Sequence, residues 1–332
     1  MQQALGHGPR ALICGISGQD GAYLAHFLLS KGYEVIGTSR DAEVSRFENL
    51  FALAIRERVT LRSMTLSDFR SVLQVLSETE PAEIYNLAGQ SSVGLSFQQP
   101  VETLESISIG TLNLLEAVRF MKRATRIYNA TSSECFGETI RESPARESTA
   151  FAPRSPYGVA KAAAYWIVAN YREAYGIHAC SGILFNHESI FRPARFVTRK
   201  VVRSACRIAA GDELPLRIGN TSIVRDWGYA PEYVEAMWLM LQQPKPRDYV
   251  IATGESHSLQ EFISASFEEV GLDWAKYTQE DPALLRTTDI LQSHADPSLA
   301  AEHLGWRAKT RMRALVRRLI EDERTGMEAA AR

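Results

Sequence analysis

The chain has 332 residues, 45% hydrophobic and 23% charged, with a formal net charge of −2. These values describe an ordinary soluble globule, long enough for two unequal domains, with nothing in the charge balance that suggests bulk attraction to nucleic acid. The four cysteines, Cys14, Cys135, Cys180 and Cys206, form no C-x-x-C pair. That argues for free thiols, with neither a disulfide framework nor a zinc site. Residues 1–10 carry no apolar signal-type core, and no run approaches a membrane span. The expectation is a cytoplasmic protein with no nucleic-acid, membrane or metal partner.

Arg10–Cys14 reads as an apolar strand, followed at once by Gly15-Ile16-Ser17-Gly18-Gln19-Asp20-Gly21. Tyr23, Leu24, Phe27 and Leu28 then recur at helical spacing. A strand, a glycine turn and a helix are the context in which a dinucleotide lies against backbone. Gly15 suits the tight turn, Gly18 the approach of a pyrophosphate to the helix N-terminus, and Gly21 close helix–strand packing. The spacing is G-x-x-G-x-x-G, and an ordinary glycine-rich turn is the plain alternative. Residues 32–37 form the next strand, ending in Thr38-Ser39-Arg40-Asp41. Arg40 there suits the 2′-phosphate of NADP, whereas an acid would suit the ribose diol of NAD. Asp41 is adjacent, and a solvated surface arginine is the competing reading.

Val59–Met64 is a third strand, and Asp68–Leu76 an amphipathic helix with Phe69, Val72, Leu73 and Leu76 inward. The fourth strand runs from Ile84 into Leu87-Ala88-Gly89-Gln90, whose small residues leave room for a cofactor. Pro100 opens a helical stretch through Val118, and Ile127–Ala130 is the fifth strand. Its hydroxyl-rich end, Thr131-Ser132-Ser133, is closed by Glu134. Pro153, Ser155 and Pro156 then set a helix start, on which Tyr157 and Lys161 stand four apart on one face. A phenol beside an ammonium can act as a general base, because the positive charge favours the phenolate. Both residues could instead be no more than parts of a packed helix. Glu134 is a proton-transfer group that a simple alcohol oxidation does not need. Strands alternating with helices predict a Rossmann-type, doubly wound, mostly parallel sheet in an α/β chain.

Cys180–Phe185 is a sixth strand, leading to Asn186-His187-Glu188-Ser189. Asn186 can bind a sugar hydroxyl or phosphate; His187 reads better as a structural histidine. Arg192, Arg195, Arg199, Lys200 and Arg203 form a basic run, either a solvated helix face or the lining of an anion groove. Leu214–Ile218 and Tyr249–Ala252 read as strands. Tyr233–Leu241, Leu259–Val270, Leu299–Leu304 and Met312–Ile320 read as helices. Arg225 and Arg286 are further candidates for the same anion. The expected division is a cofactor domain over 1–186, with segments near 220–255 returning to it. A smaller mixed α/β substrate domain over 187–332 is interleaved with it.

Several longer motifs add to this reading. They include Gly18-Gln19-Asp20-Gly21-Ala22-Tyr23-Leu24, Asn86-Leu87-Ala88-Gly89-Gln90-Ser91 and Pro153-Arg154-Ser155-Pro156-Tyr157-Gly158-Val159-Ala160-Lys161. Gly182–Ser189 and Phe196-Val197-Thr198-Arg199-Lys200 continue them. From Ala11 to about Leu319 the chain resembles the extended short-chain dehydrogenase/reductase family and, within it, the GDP-mannose 4,6-dehydratases. The resemblance implies NADP as cofactor, held by Gly15, Ser17, Gly18, Gln19, Asp20, Gly21, Arg40, Leu87, Ala88, Gln90, Tyr157 and Lys161. It implies Ser132, Glu134, Tyr157 and Lys161 as catalytic residues. Asn186, Glu188, Lys200, Arg225 and Arg286 would bind GDP-mannose or a related GDP-sugar. A homo-oligomer, dimer or tetramer, is the implied assembly. Ser132 keeps the hydroxyl of the family's threonine and loses its methyl. Ser39-Arg40 stands where the family has paired arginines, Thr65 where it has an aspartate, and Ile190–Arg195 departs from its usual loop. The implied reaction oxidises C4 of GDP-mannose, eliminates water across C5 and C6, and returns hydride to C6, giving GDP-4-keto-6-deoxymannose. Another GDP-hexose or GDP-heptose would require the same catalytic residues. An epimerase or 4-reductase would use Ser132, Tyr157 and Lys161 without Glu134. A catalytically inactive structural or sensor subunit is the alternative of a different class.

Overall fold

The computed structural model describes residues 8–285 and 288–330. Its twelve strands are β1 (Arg10–Cys14), β2 (Glu34–Ser39), β3 (Val59–Ser63), β4 (Glu83–Asn86), β5 (Arg126–Ser132), β6 (Ala179–Leu184), β7 (Asn186–Glu188), β8 (Leu216–Ile218), β9 (Val224–Tyr229), β10 (Tyr249–Ile251), β11 (Ser256–Ser258) and β12 (Thr278–Glu280). Seven form one sheet in the order β10-β6-β5-β4-β1-β2-β3, with β11-β9-β7 and β12-β8 as smaller sheets. The pairs β1–β2, β1–β4, β2–β3 and β4–β5 are parallel. The expected Rossmann-type sheet and smaller mixed region are both present.

The chain divides into two compact units. The first holds the residues up to Cys135, Ser155–Ile183 and Val234–Tyr249; the second holds Phe136–Arg154, Leu184–Tyr233 and Val250 onward. The stretch 136–154 thus belongs to the second unit, and 234–249 to the first.

In the first unit, apolar strand residues Leu12, Ile36, Ile84 and Ile127 are buried against helical Val72, Leu76, Leu114, Leu115, Val118 and Val168. Strands covered on both faces read as continuous apolar runs, which is why β1, β4 and β5 were legible. Two asparagines interrupt that apolar pattern in register, Asn86 opposite Asn129. The Asn86 amide donates to Asn129 Oδ1 at 2.9 Å and to Thr111 Oγ1 at 3.1 Å, so its buried N–H groups are met while its own Oδ1 accepts no bond among the described residues. The stretch from Pro100 breaks its α-helical pattern at Glu105–Ile109, which winds as a π segment before α-helix resumes at Gly110.

In the second unit, Val201, Val202, Trp227, Phe262, Phe267, Leu315, Val316 and Leu319 form the core. The basic run lies largely on a helix, Val197–Ala209, whose apolar face enters that core. Arg199 and Arg203 both pair with the buried Glu323, so much of this charge is balanced within the unit. β9 was missed from sequence because its centre, Arg225-Asp226, is charged.

Asp226 is fully buried and accepts from the Thr253 and Gly254 N–H groups at 3.0 and 2.7 Å. Burial nevertheless raises its carboxyl to about 6. A raised carboxyl binds its proton more tightly folded than unfolded, so its contribution is greatest at low pH and declines as pH rises through about 6. Asp226→Asn mimics the protonated form. Its stability relative to wild type should therefore improve by roughly 2–3 kcal/mol between pH 4 and pH 7. Denaturant titrations of both proteins across that range check the sign; a pH-independent difference would refute it.

Candidate active site

Two sequence-distant elements bring the candidate residues Ser132, Glu134, Tyr157 and Lys161 to one end of the first unit. β5 ends at Ser132 and tightens into the 3₁₀ turn Ser133–Cys135. Ser132 Oγ accepts the Glu134 backbone N–H at 3.3 Å, fixing the glutamate two residues beyond the strand end. The helix Pro156–Tyr175 starts on a cap: Ser155 Oγ accepts the Gly158 N–H at 3.1 Å, with Pro156 at the first helical position. That start places Tyr157 on the first turn and Lys161 one turn later.

Lys161 is buried, and its ammonium donates to the Ala130 carbonyl on β5 at 2.7 Å. The same Nζ lies 5.9 Å from the centre of the Tyr157 ring. Burial pulls Lys161 down to about 8, while Cys135 and the Asp20 carboxylate act the other way. Burial also raises the Cys135 thiol to about 12, so Asp20 is the neighbour that carries negative charge near neutrality. Tyr157 packs with Ile107, Ala160 and Ala164. Ile107 belongs to the π segment, and nearby Ser108 donates to the Ala160 carbonyl at 3.0 Å, tying that segment to the Pro156–Tyr175 helix.

The glycine turn fits a dinucleotide. Gly15 has φ +83°, and a Cβ there would stand 3.0 Å from the Ala88 backbone. A Cβ on Gly21 would stand 2.4 Å from the Gly15 carbonyl oxygen. The helix Gln19–Ser30 begins at Gly18 with no side-chain cap, leaving its positive end for an anion. Gln19 is buried and donates to Asp20 at 3.0 Å, and the Ser17 carbonyl accepts from Asn49 at 2.9 Å. Leu87 follows β4 with its N–H on the Cys14 carbonyl. The Gln90 amide is turned to the Ser92 carbonyl and to Thr103.

Arg40 lies two residues beyond Thr38, whose carbonyl accepts from Gly15 and Ile16; its side chain is 81% exposed and its guanidinium pairs with Glu102 at 3.2 Å. Asp41 accepts from the N–H groups of Glu43 and Val44 and so closes its own loop.

In the second unit, Asn186 opens β7 half-buried. Glu188 is buried and receives the Thr198 hydroxyl at 2.6 Å and Arg192 at 3.3 Å. Lys200 is half-buried and makes no ion pair among the described residues; burial lowers its pKa. Arg225 is buried, bonded to the Val224 carbonyl at 2.9 Å and to Asp289 at 3.2 Å. Arg286 lies outside the described residues. Sequence reasoning missed the Asn86–Asn129–Thr111 group; its signal was an asparagine ending the same Ile-Tyr-Asn triplet in two strands.

Residues 12–319 match the family model described as GDP-mannose 4,6 dehydratase. The chain belongs to the GDP-mannose 4,6-dehydratase family. It is 46% identical over 323 residues to GDP-mannose 4,6 dehydratase 1 of Arabidopsis thaliana, covering 94% of this chain and 89% of that one. It is 43% identical over 347 residues to GDP-mannose 4,6-dehydratase of Vibrio cholerae, covering 94% and 93%. Among solved structures it resembles UDP-glucose 4-epimerase of Thermus thermophilus in complex with NAD. There the TM-score is 0.84 at 27% identity, with 95% of this chain and 99% of that one covered.

The expectation of NADP is corrected by these neighbours. The Thermus epimerase, at 27% identity, is solved with NAD, as are the more distant dTDP-glucose 4,6-dehydratases of Bacillus anthracis and Streptomyces venezuelae, and RMD of Pseudomonas aeruginosa is solved with NADPH. The local reason the NADP reading failed is Arg40, the residue chosen for a 2′-phosphate, whose guanidinium is engaged by Glu102.

The ammonium of Lys161 is present below about pH 8. Turnover at saturating substrate and NAD should therefore fall as pH rises through that value. Removing the Asp20 charge takes away a group that holds the ammonium on, so Asp20→Asn should move the descending limb to lower pH. Rate–pH profiles of the two proteins check this; an unmoved limb, or one moved upward, contradicts it.

Proposed function

We propose that this chain dehydrates GDP-mannose to GDP-4-keto-6-deoxymannose with Ser132, Glu134, Tyr157 and Lys161 as its catalytic groups. The observation that carries the proposal is Glu134 held beside Ser132 at the end of β5, with the buried Lys161 ammonium bonded to that same strand. Tyr157 takes the proton of the C4 hydroxyl, which Ser132 orients. Lys161 places a fixed positive charge near that phenol, where it favours the phenolate. The C4 ketone acidifies the C5 proton, which Glu134 removes. Glu134 then passes that proton to the departing C6 hydroxyl, which leaves as water, and as hydride returns to C6 a solvent proton reaches C5 through the same carboxyl. The Gly15–Gly21 turn, with Ser17, Gln19 and Asp20, and the backbone at Leu87, Ala88 and Gln90, would hold NAD. When bound, NAD accepts the C4 hydride and returns it to C6.

Asn186, Lys200 and Arg225 are proposed to bind the nucleotide diphosphate, for which guanidinium forks and an ammonium are suited. Glu188, bonded to Thr198 and Arg192, would act by holding that region in place. An epimerase would have no need of Glu134, and that residue favours the dehydratase reading. Among the described residues no helix is long and apolar enough to cross a membrane, and no cluster of three or more His, Cys, Asp or Glu could hold a metal.

A homo-oligomer is part of the proposal. Val159 and Trp166 are exposed two turns apart on one face of the Pro156–Tyr175 helix, and Val101 and Leu104 are exposed on the helix Pro100–Leu104 that packs against it. A contiguous apolar face on water is the signature of a covered surface.

Incubation with GDP-mannose and NAD should yield a product lighter by one water and carrying a ketone; recovery of unchanged or epimerised sugar would overturn the reading. Glu134→Gln should lower dehydration about 10²–10⁴-fold, the range typical of a lost general acid–base, and abolish solvent deuterium uptake at C5. Near-normal dehydration would remove Glu134 from this role. Trp166→Glu should give a smaller species by light scattering, and an unchanged mass would place the subunit contact elsewhere.

A further inference from the structure

The stretch 136–154 leaves the chain directly after Glu134 and Cys135 and rejoins it directly before Ser155 and Tyr157. Both catalytic elements are thus covalent ends of one excursion, which folds with the second unit. The excursion contains no helix and no strand beyond isolated bridges, so its course is set by whatever grips it.

Glu147 accepts the Val250 N–H at 2.7 Å, and a further hydrogen-bonded grip comes from residues 288–296. Thr139, which is buried, clamps His294 twice: its hydroxyl accepts the His294 N–H at 2.8 Å and donates to the His294 carbonyl at 3.0 Å. The Thr139 N–H donates to the Gln292 carbonyl at 3.1 Å. The Ala145 N–H donates to the His294 carbonyl and the Asp296 N–H to the Ala145 carbonyl, both at 2.9 Å. Arg146 pairs with Asp296 at 2.8 Å, and Thr288 Oγ1 donates to the Arg154 carbonyl at 2.6 Å, next to the return into Ser155.

The same arm grips β9. The Val224 N–H donates to the Leu291 carbonyl at 2.8 Å, and the Ser293 N–H to the Val224 carbonyl at 3.1 Å. Asp289 then engages the buried Arg225 guanidinium one residue along. Hydrogen bonds on both sides mean that the arm cannot shift against β9 without straining its hold on 136–154.

We propose that residues 288–296 are a positioning arm that couples the setting of Arg225, through Asp289, to the setting of Glu134 and Tyr157, through Thr139. The proposal rests on the reading of Arg225, Glu134 and Tyr157 given above. Asp289 and Thr139 act through other residues and touch no reacting atom. Contiguous hydrogen-bonded segments of this kind can carry energetic coupling between distant groups, and a double-mutant cycle measures it.

The test combines hydrogen exchange with kinetics on GDP-mannose and NAD. Asp289→Asn should speed amide exchange several-fold in peptides covering 134–146, far along the chain from the substitution. It should also raise KM for GDP-mannose several-fold. Thr139→Val should lower kcat about tenfold with KM within twofold, and Thr139→Ser, which keeps the hydroxyl, should restore it. The double variant Thr139→Val/Asp289→Asn should lose less kcat/KM than the product of the single losses. Unchanged exchange in 134–146, or strictly multiplicative losses, would overturn the proposal. If Thr139→Val does not fold, Arg146→Gln opens the same junction from its exposed side and must lower kcat; an unchanged kcat overturns the arm equally. If exchange responds as expected while wild type leaves GDP-mannose intact, the arm stands and the functional reading falls.

Discussion

A buried ammonium bonded to a strand carbonyl organises the proposed catalytic end of this protein. Taking a lysine out of water is unfavourable unless the charge is met by a partner. Here the Ala130 carbonyl meets it at 2.7 Å, and the lysine still drops to about 8. The bond ties the first turns of the Pro156–Tyr175 helix to β5, two residues before Ser132. Ser155 and Pro156 fix where that helix begins, so the cap decides which residue stands as Tyr157 and which as Lys161. A helix starting one residue later would rotate the pair by about 100° and break the contact.

The same constraint reaches outward through small residues and matched polar groups. Gly15 and Gly21 let the first glycine turn touch the backbone at Ala88 and Ile16, which a Cβ would prevent. Gly89, with φ +123°, accommodates Ile107 of the π segment, and that segment in turn packs on Tyr157. π turns concentrate at functional sites because they shift side-chain register by a fraction of a turn. The Asn86–Asn129–Thr111 bonds lock the ends of β4 and β5 in register beneath these contacts. Packing, backbone freedom and charge thus converge on two strand ends, that of β4 before Ala88 and that of β5 at Ser132.

Much of this was legible in the sequence where a local rule decides the outcome. β1 is observed with the bounds read from its apolar run. The helix start before Tyr157 followed from Ser155 and Pro156, and the glycine turn from its position between a strand and an amphipathic helix. What failed depended on partners far along the chain. Arg40 read as a phosphate contact, yet its guanidinium meets Glu102, 62 positions away, and the NADP expectation fell with the neighbours that hold NAD. The basic run could not be resolved until Glu323 was seen against Arg199 and Arg203. β9 was hidden because a buried Asp226 and Arg225 break the apolar signal, and both are stabilised by groups more than 25 residues away. The assignment of 136–154 to the second unit has no local signature at all; it arises from hydrogen bonds to residues 292–296.

The proposed chemistry depends on one constellation of side chains acting on one sugar. The most direct measurement is a structure of the protein with NAD and GDP-mannose bound. It should bring the C4 hydroxyl within hydrogen-bond reach of both Tyr157 Oη and Ser132 Oγ, with the Glu134 carboxylate facing C5 and C6. A complex in which C4 is remote from Tyr157, or in which Glu134 faces away from the C5–C6 bond, would contradict it.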